Sequence, residues 1–423
     1  MHVVILAEFA TASGGAEKVA VESARGLAEA GARVTFIQAV DGPADALLDH
    51  PGIGRVPLSL PDVWSLPAWR GAVAGIWNGE AARRLTAALA ALPEPADCLH
   101  LHQWSRAFSP AVLPVLLAQS APLVLTLHDY FLACPNGVFY RFDQGAPCSL
   151  EPMSARCLAA PCDPKSRLHK AVRVGRAAAL RVAAGRDRLD VIHVSDASLA
   201  RMAGMLAGRA LRHHRIDNPV RVAPGAPAEP ERGDAVAYVG RLTAEKGADL
   251  VAEAARRAGL PALFIGAGPL DDALRAQGAE VIGWRSPSEV GEILRSRARA
   301  VCAPSRWYET GPLTIYEALA QGIPAIASNR SGAAEKVRHG ETGLVVAPEA
   351  EALAEAFRTL KDDSLVARLG RAAHAAYWQA PPTLAAHAQA LLGLYGGLTD
   401  EAAHHHGDRA GHSNGEPVVA AMR

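Results

Sequence analysis

No stretch of this chain supplies the run of about 18 uninterrupted apolar residues that a membrane-crossing helix needs, which excludes an integral helical membrane protein. The opening MHVVILAEF also lacks the charged region, apolar core and cleavage site of a secretory signal, so the expected location is the cytoplasm. Charge of one sign is not in excess: 43 basic side chains face 43 acidic ones, and no global field draws the chain to nucleic acid. Aromatic residues make up only 5% of the chain, and few are interleaved with its most basic stretch, which argues further against nucleic-acid binding. Cysteine is sparse, with six residues. Cys98 and Cys302 stand in the apolar runs ADCLHLH and RARAVCAPS and read as small core residues. No internal repeat of solenoid length is present.

What is present is apolar and periodic. Half of the composition is apolar, and 423 residues exceed what one core usually serves, so two domains with a cleft between them are expected. The chain opens with HVVILAE, a Gly pair, a helical stretch from Ala16 to Ala30 and then RVTFIQ, the strand, loop, helix, strand order of a parallel sheet. DCLHLH, PLVLTLH and LDVIHVS continue it. The Pro-rich NPVRVAPGAPAEPERG breaks the periodicity, and beyond it AVAYVG, PALFIG, AEVIGW, RAVCAPS, PAIAS and GLVVA restart the alternation. The expected fold is α/β, with two doubly wound domains facing across a cleft. The expected organisation is a first domain over 1–217 with a Cys-containing insert at 134–165, a linker over 218–234 and a second domain over 235–380. A helix over 381–398 should pack back on the first domain, and the tail over 399–423 should be disordered, its His-rich patch read as solvated rather than metal-binding.

Ligands of such sheets bind at the carboxyl ends of the strands. In WYETGPLTIYEALAQG, Gly311, Pro312 and Leu313 open a helix: Pro suits the first helical position, where no amide is needed, and Gly permits close approach. The amides of Leu313 and Thr314 then point outward and suit an anion such as a diphosphate. Glu309 before the helix and Glu317 inside it would flank that anion and accept hydroxyl hydrogen bonds from a sugar and a ribose. A cationic counterpart stands in YVGRLTAEKGAD, where a strand ends in Gly240 and is followed by Arg241 and Lys246.

VGRLTAEKGAD, followed by APSRWYETGPLTIYEALAQGIPAIASNRSGAAEKVRHGETGLVV, resembles the donor-binding domain of retaining nucleotide-sugar glycosyltransferases of family 4, which have the GT-B fold. The signature is the E-x7-E pair, Glu309 and Glu317, with the Gly-Arg-Leu and Lys-Gly strand-end motif, in the expected order over residues 235 to 348. The first half is similar more loosely, through SGGAEKVAVESARGLAEAGARVTF, LTLHDYFLACP and IDNPV. The resemblance implies that Arg241 and Lys246 bind the donor diphosphate and stabilise its departure. It assigns Glu309 to the transferred sugar, Glu317 to the ribose, Gly14 and Gly15 to the loop near the phosphates, and His128 to the donor sugar from the other domain. Many members have Gly-Phe-Gly where this chain has Thr310, Gly311 and Pro312, and often two glycines and a proline where it has SGAAEKV before Glu335, so the sugar is not read from the motif.

The activity implied is transfer of a sugar from a nucleoside-diphosphate sugar to a hydroxyl of a glycan or lipid-linked acceptor, with retained configuration, in envelope or exopolysaccharide biosynthesis. No DxD-like pair stands in a suitable loop, so no catalytic metal is expected. The alternatives are a non-catalytic GT-B sugar-binding or scaffold subunit, or a nucleotide-sugar epimerase. Lys165, Arg167, Lys170, Arg173, Arg176 and Arg181 give the segment 165–188 a basic stretch, read either as a face for an anionic membrane surface at the inner side of the bilayer or as a solvated face. Cys134, Cys148, Cys157 and Cys162, spaced C-x13-C-x8-C-x4-C, leave three readings: a structural zinc, free thiols or disulfides.

Overall fold

The computed structural model describes residues 1–12, 14–185, 188–206 and 210–411. The first domain holds strands β1 (His2–Ala7), β2 (Arg33–Val40), β3 (Ile53–Leu60), β4 (Cys98–Leu101) and β5 (Leu123–Leu127). A small antiparallel pair, β6 (Tyr140–Arg141) and β7 (Ala146–Pro147), lies in the insert, and β8 (Leu189–His193) and β9 (Leu211–Arg215) complete the domain. The main sheet runs β3-β2-β1-β4-β5-β8-β9, all parallel. β1, β4, β5 and β8 are buried along their whole lengths. Helices therefore cover both faces, which is why these strands read as unbroken apolar runs.

The second domain repeats the plan with β10 (Ala235–Val239), β11 (Ala262–Ile265), β12 (Glu280–Val281), β13 (Ala298–Ala303), β14 (Ala325–Ser328) and β15 (Gly343–Val346), in the order β12-β11-β10-β13-β14-β15. Strand order reverses between β1 and β4 in one sheet and between β10 and β13 in the other. A crevice opens beyond the carboxyl ends of the strands at such reversals, and the loops after β1, β5, β10 and β13 carry the residues singled out above.

The helix Leu384–Gly411 crosses back to the first domain. Its Leu384 lies so close to Gly26 that a Cβ there would stand 3.0 Å from it, its His387 Nε2 bonds Ser23 Oγ at 2.8 Å, and its Tyr395 hydroxyl reaches His100 Nδ1 at 2.6 Å. The stretch from Thr399, expected to lack regular structure, instead continues this helix to Gly411. Buried Leu398, and Glu401 accepting from Arg188 at 3.0 Å and Arg212 at 2.6 Å, anchor the first of the added turns. The remainder of the expected tail lies outside the described residues.

The insert and the helix after it are packed together. All four insert cysteines are free, and among the described residues no three His, Cys, Asp or Glu side chains are grouped to hold a metal. Cys162 Sγ accepts from the buried Lys170 Nζ at 3.1 Å. In the helix Arg167–Ala183 that follows, Arg173 pairs with Asp163 at 2.8 Å, and the Arg176 guanidinium lies over the Phe131 ring at 4.1 Å. Three of the basic side chains thus turn inward to support the insert. Lys165, Arg167 and Arg181 remain exposed.

Candidate donor site

The loop after β10 descends from Gly240 through exposed Arg241 to Lys246 and Gly247, the cap of the helix Ala248–Ala258. Gly247 has φ 79°, and a Cβ there would fall 2.5 Å from the Pro304 carbonyl oxygen. Only glycine lets this loop press against the loop after β13. That approach brings Lys246 Nζ to 2.8 Å from Glu309 Oε1, while Ser305 Oγ donates to the other carboxylate oxygen at 2.7 Å. Burial opposes the charge of Glu309, but Lys246, Ser305 and Trp307 outweigh it and hold the carboxyl below its ordinary range. Glu309 is therefore an anion with a fixed direction.

The helix Leu313–Ala320 starts one residue later than the motif suggested, with Pro312 in the capping position. Ile315, Ala318 and Leu319 bury its inner face, so Leu313, Thr314 and Glu317 share the remaining face, one turn apart. The first amides of an α-helix have no partner within the helix. Glu317 is met from the opposite domain: Lys18 Nζ lies 2.7 Å from Glu317 Oε1. Lys18 belongs to the helix Gly15–Glu29, whose cap is Gly14 and whose start at Gly15 has open space where a side chain would project. Burial would lower the Lys18 pKa, but Glu317 and Glu22 outweigh it and raise it.

His128 follows β5. Its backbone carbonyl accepts from Thr310 Oγ1 at 3.1 Å, which ties the first domain to the loop that carries Glu309. Its Nε2 pairs with His102 Nδ1 at 3.0 Å, and the two rings stack with centroids 5.3 Å apart. Burial, aided by His387, pushes the His128 pKa down to about 3, so the ring is neutral and offers a hydrogen bond rather than a charge. The structure thus brings Gly14, Gly15, His128, Lys246, Glu309, Thr310 and Glu317 to one cleft.

Sequence reasoning missed Lys18, although GGAEK places it one turn into the helix that the Gly pair opens. It also missed His102, which alternation in CLHLHQ puts on the face of β4 shared with His100. Glu335 has a structural task. Its carboxylate accepts from the Asp196 amide at 2.8 Å and from Arg215 at 2.6 Å, fastening one domain to the other. Nearby, Gly332 permits a close interdomain approach, since a Cβ there would stand 2.4 Å from Ser195 Oγ.

Buried acids border the same cleft. Glu8, just past β1, accepts from the amides of Arg106 and Ala107, the latter at 2.6 Å, and its Oε2 has no partner among the described residues. Burial pushes its pKa from 4.5 up to about 7. The folded protein holds this proton where the unfolded chain has lost it, so stability from Glu8 is complete below pH 4.5 and declines as pH rises through about 7. The expected loss is on the order of 3 kcal/mol. Denaturant titrations from pH 5 to 8 should show that Glu8→Gln flattens this decline; an unchanged slope would assign it to other groups.

With the geometry in place, two doubly wound domains meeting at a cleft that each lines with strand-end loops define the GT-B class. Residues 14–149 match the family described as glycosyl transferase 4-like domain, and residues 223–376 match glycosyl transferases group 1. The chain belongs to the family 4 type of glycosyltransferases. It is 36% identical over 165 residues to a glycogen synthase of Mycobacterium tuberculosis, a match covering 36% of this chain and 40% of that one. It is 44% identical over 82 residues to an exopolysaccharide phosphotransferase of Streptomyces coelicolor, covering 19% of this chain and 9% of the other. These matches span less than half the length of either relative. The structure of Anabaena HepE in complex with UDP and glucose superposes with a TM-score of 0.66 over 94% of this chain and all of that one, at 19% identity, a likeness of fold.

Proposed function

We propose that the protein is a retaining glycosyltransferase that moves a sugar from a nucleoside-diphosphate sugar to a hydroxyl of a glycan or lipid-linked acceptor, in envelope or exopolysaccharide biosynthesis. One observation carries the reading: Glu309 and Glu317, held by Lys246 of the loop after β10 and by Lys18 of the helix Gly15–Glu29, flank the open start of the helix Leu313–Ala320. Hydroxyl acceptors on either side of an anion site fit a sugar, a diphosphate and a ribose in line. HepE is described with UDP and glucose, and the mycobacterial relative is a glycogen synthase; both support a nucleotide-sugar donor.

In this reading the diphosphate lies over the amides of Leu313 and Thr314, between Arg241 and Lys246. The bond from the anomeric carbon to the departing phosphate oxygen breaks, and the acceptor oxygen attacks on the same face. The acceptor proton passes to the departing phosphate. Positive potential from Arg241, Lys246 and the helix start stabilises the leaving group without a divalent ion, and neutral His128 hydrogen-bonds the sugar.

The test is thermal stabilisation of the purified protein by UDP, GDP, ADP and dTDP sugars, with and without EDTA. A donor at about 100 times its Kd should stabilise the fold by about 2.7 kcal/mol. Stabilisation that persists in EDTA, followed by product with the donor's anomeric configuration by NMR, is the expected outcome. Silence toward every nucleotide sugar at millimolar concentration would favour the scaffold reading, and a fall in the baseline melting temperature in EDTA would point to a metal in the cysteine insert. Glu317→Ala should raise the donor KM about tenfold with kcat little changed, because it removes binding made equally in ground and transition states. Steady-state kinetics over a donor series checks it.

A further inference from the structure

Six of the nine exposed large apolar side chains among the described residues lie together, on the helices Ala68–Ile76 and Arg167–Ala183 and their flanks. The second helix turns Lys170, Arg173 and Arg176 inward and presents Leu168, Ala171, Ala178 and Val182 outward, a stripe of helical period. Leu168 is 76% exposed and Val182 80%. Ile76 packs on this stripe at Gly175, where a Cβ would stand 3.0 Å from it, so the two helices form one face. The first helix adds Trp69, 67% exposed, and Val73, 62% exposed, one turn apart. Trp64 joins through its stack on His169, with centroids 5.6 Å apart.

The charges on its two segments have one sign. Residues 63–79 and 164–185 contain no Asp or Glu, while Arg70, Lys165, Arg167 and Arg181 are exposed. Lys165 Nζ sits 3.5 Å from the Trp64 ring centroid, and the Arg70 guanidinium 5.2 Å from that of Trp69. Tryptophan beside Lys or Arg, around a center of aliphatic side chains, is the composition that settles at the level of lipid headgroups. A second copy fits worse. A twofold contact places the same patch against itself, which would oppose four cations with four cations.

We propose that this face docks on an anionic lipid bilayer, with Trp69, Val73, Leu168 and Val182 entering the interface and the four cations meeting headgroups. It borders the cleft: the Val63 amide donates to the Arg106 carbonyl at 2.9 Å, and Arg176 covers Phe131, three residues after His128. A bilayer there lies beside the first-domain side of the site. This gives the lipid-linked acceptor of the proposed function a route of entry, and rests on that reading only for its use.

The test is flotation of the full chain with vesicles of phosphatidylcholine alone and of phosphatidylcholine with phosphatidylglycerol at 3:1, at low and high salt. The expected result is recovery with the anionic vesicles, weakened by salt, and reduced about tenfold or more by Trp69→Ser/Val73→Ser and, independently, by Leu168→Ser/Val182→Ser. All four positions are exposed, and thermal melting identifies a pair that unfolds, leaving the other to decide. No recovery of the parent protein, or recovery unchanged in both folded pairs, overturns the proposal. So does light scattering showing a dimer that either pair dissolves, since the face then belongs to a second copy. Nucleotide-sugar stabilisation, measured without vesicles, reports on the donor site separately.

Discussion

Glu309→Gln is expected to lower kcat by about 100-fold or more while donor affinity stays within about threefold. The substitution keeps the shape and the acceptor for Ser305 but removes the charge that fixes Lys246 at 2.8 Å. A group that orients the sugar and the cation beneath its leaving phosphate matters most when charge develops, so the loss falls on the chemical step. Pre-steady-state turnover beside equilibrium donor binding separates the two quantities. A variant that bound donor poorly and turned over normally would move Glu309 from the transferred sugar to ground-state binding.

Lys246→Ala should be more damaging overall, lowering kcat/KM by about 1000-fold and stability by about 2 kcal/mol. The activity loss reflects a missing cation at the diphosphate. The stability loss reflects a Glu309 carboxylate left without its partner in a largely buried place; because the lysine is itself a quarter exposed, it is set below the range for fully buried pairs. The double variant with Glu309→Gln should recover most of the stability and none of the activity. Denaturant unfolding and donor-saturated rates on the same samples test both halves, and recovery of activity would mean that Lys246 serves only to neutralise Glu309.

The two halves of the cleft were not equally legible. On the donor side, the motif residues lie within two short segments, and local rules place each of them: a strand end and a glycine turn place Lys246, and a strand end and a helix start place Glu309 and Glu317. On the other side the partners are distant in sequence. Lys18 and Glu317 are 299 residues apart, and His128 and Thr310 are 182 apart, so no periodicity or spacing relates them. The basic helix shows the same limit in the opposite direction. Its five cations suggested a charged surface, yet Asp163, Phe131 and Cys162 lie across from it and draw three of them inward.

The sequence by itself determined the alternation of buried strands with helices, because unbroken apolar runs can be satisfied only between two helical layers, and with it two parallel sheets. It also determined the helix start after Glu309, since proline and glycine act locally. The tertiary structure alone decided which lysine meets which glutamate across the cleft, how far the last helix extends, and which face of the helix Arg167–Ala183 meets solvent. Each of those depends on where a second, sequence-distant element packs. Burial and pairing energies are properties of such neighbours, and a chain carries them only once it is folded.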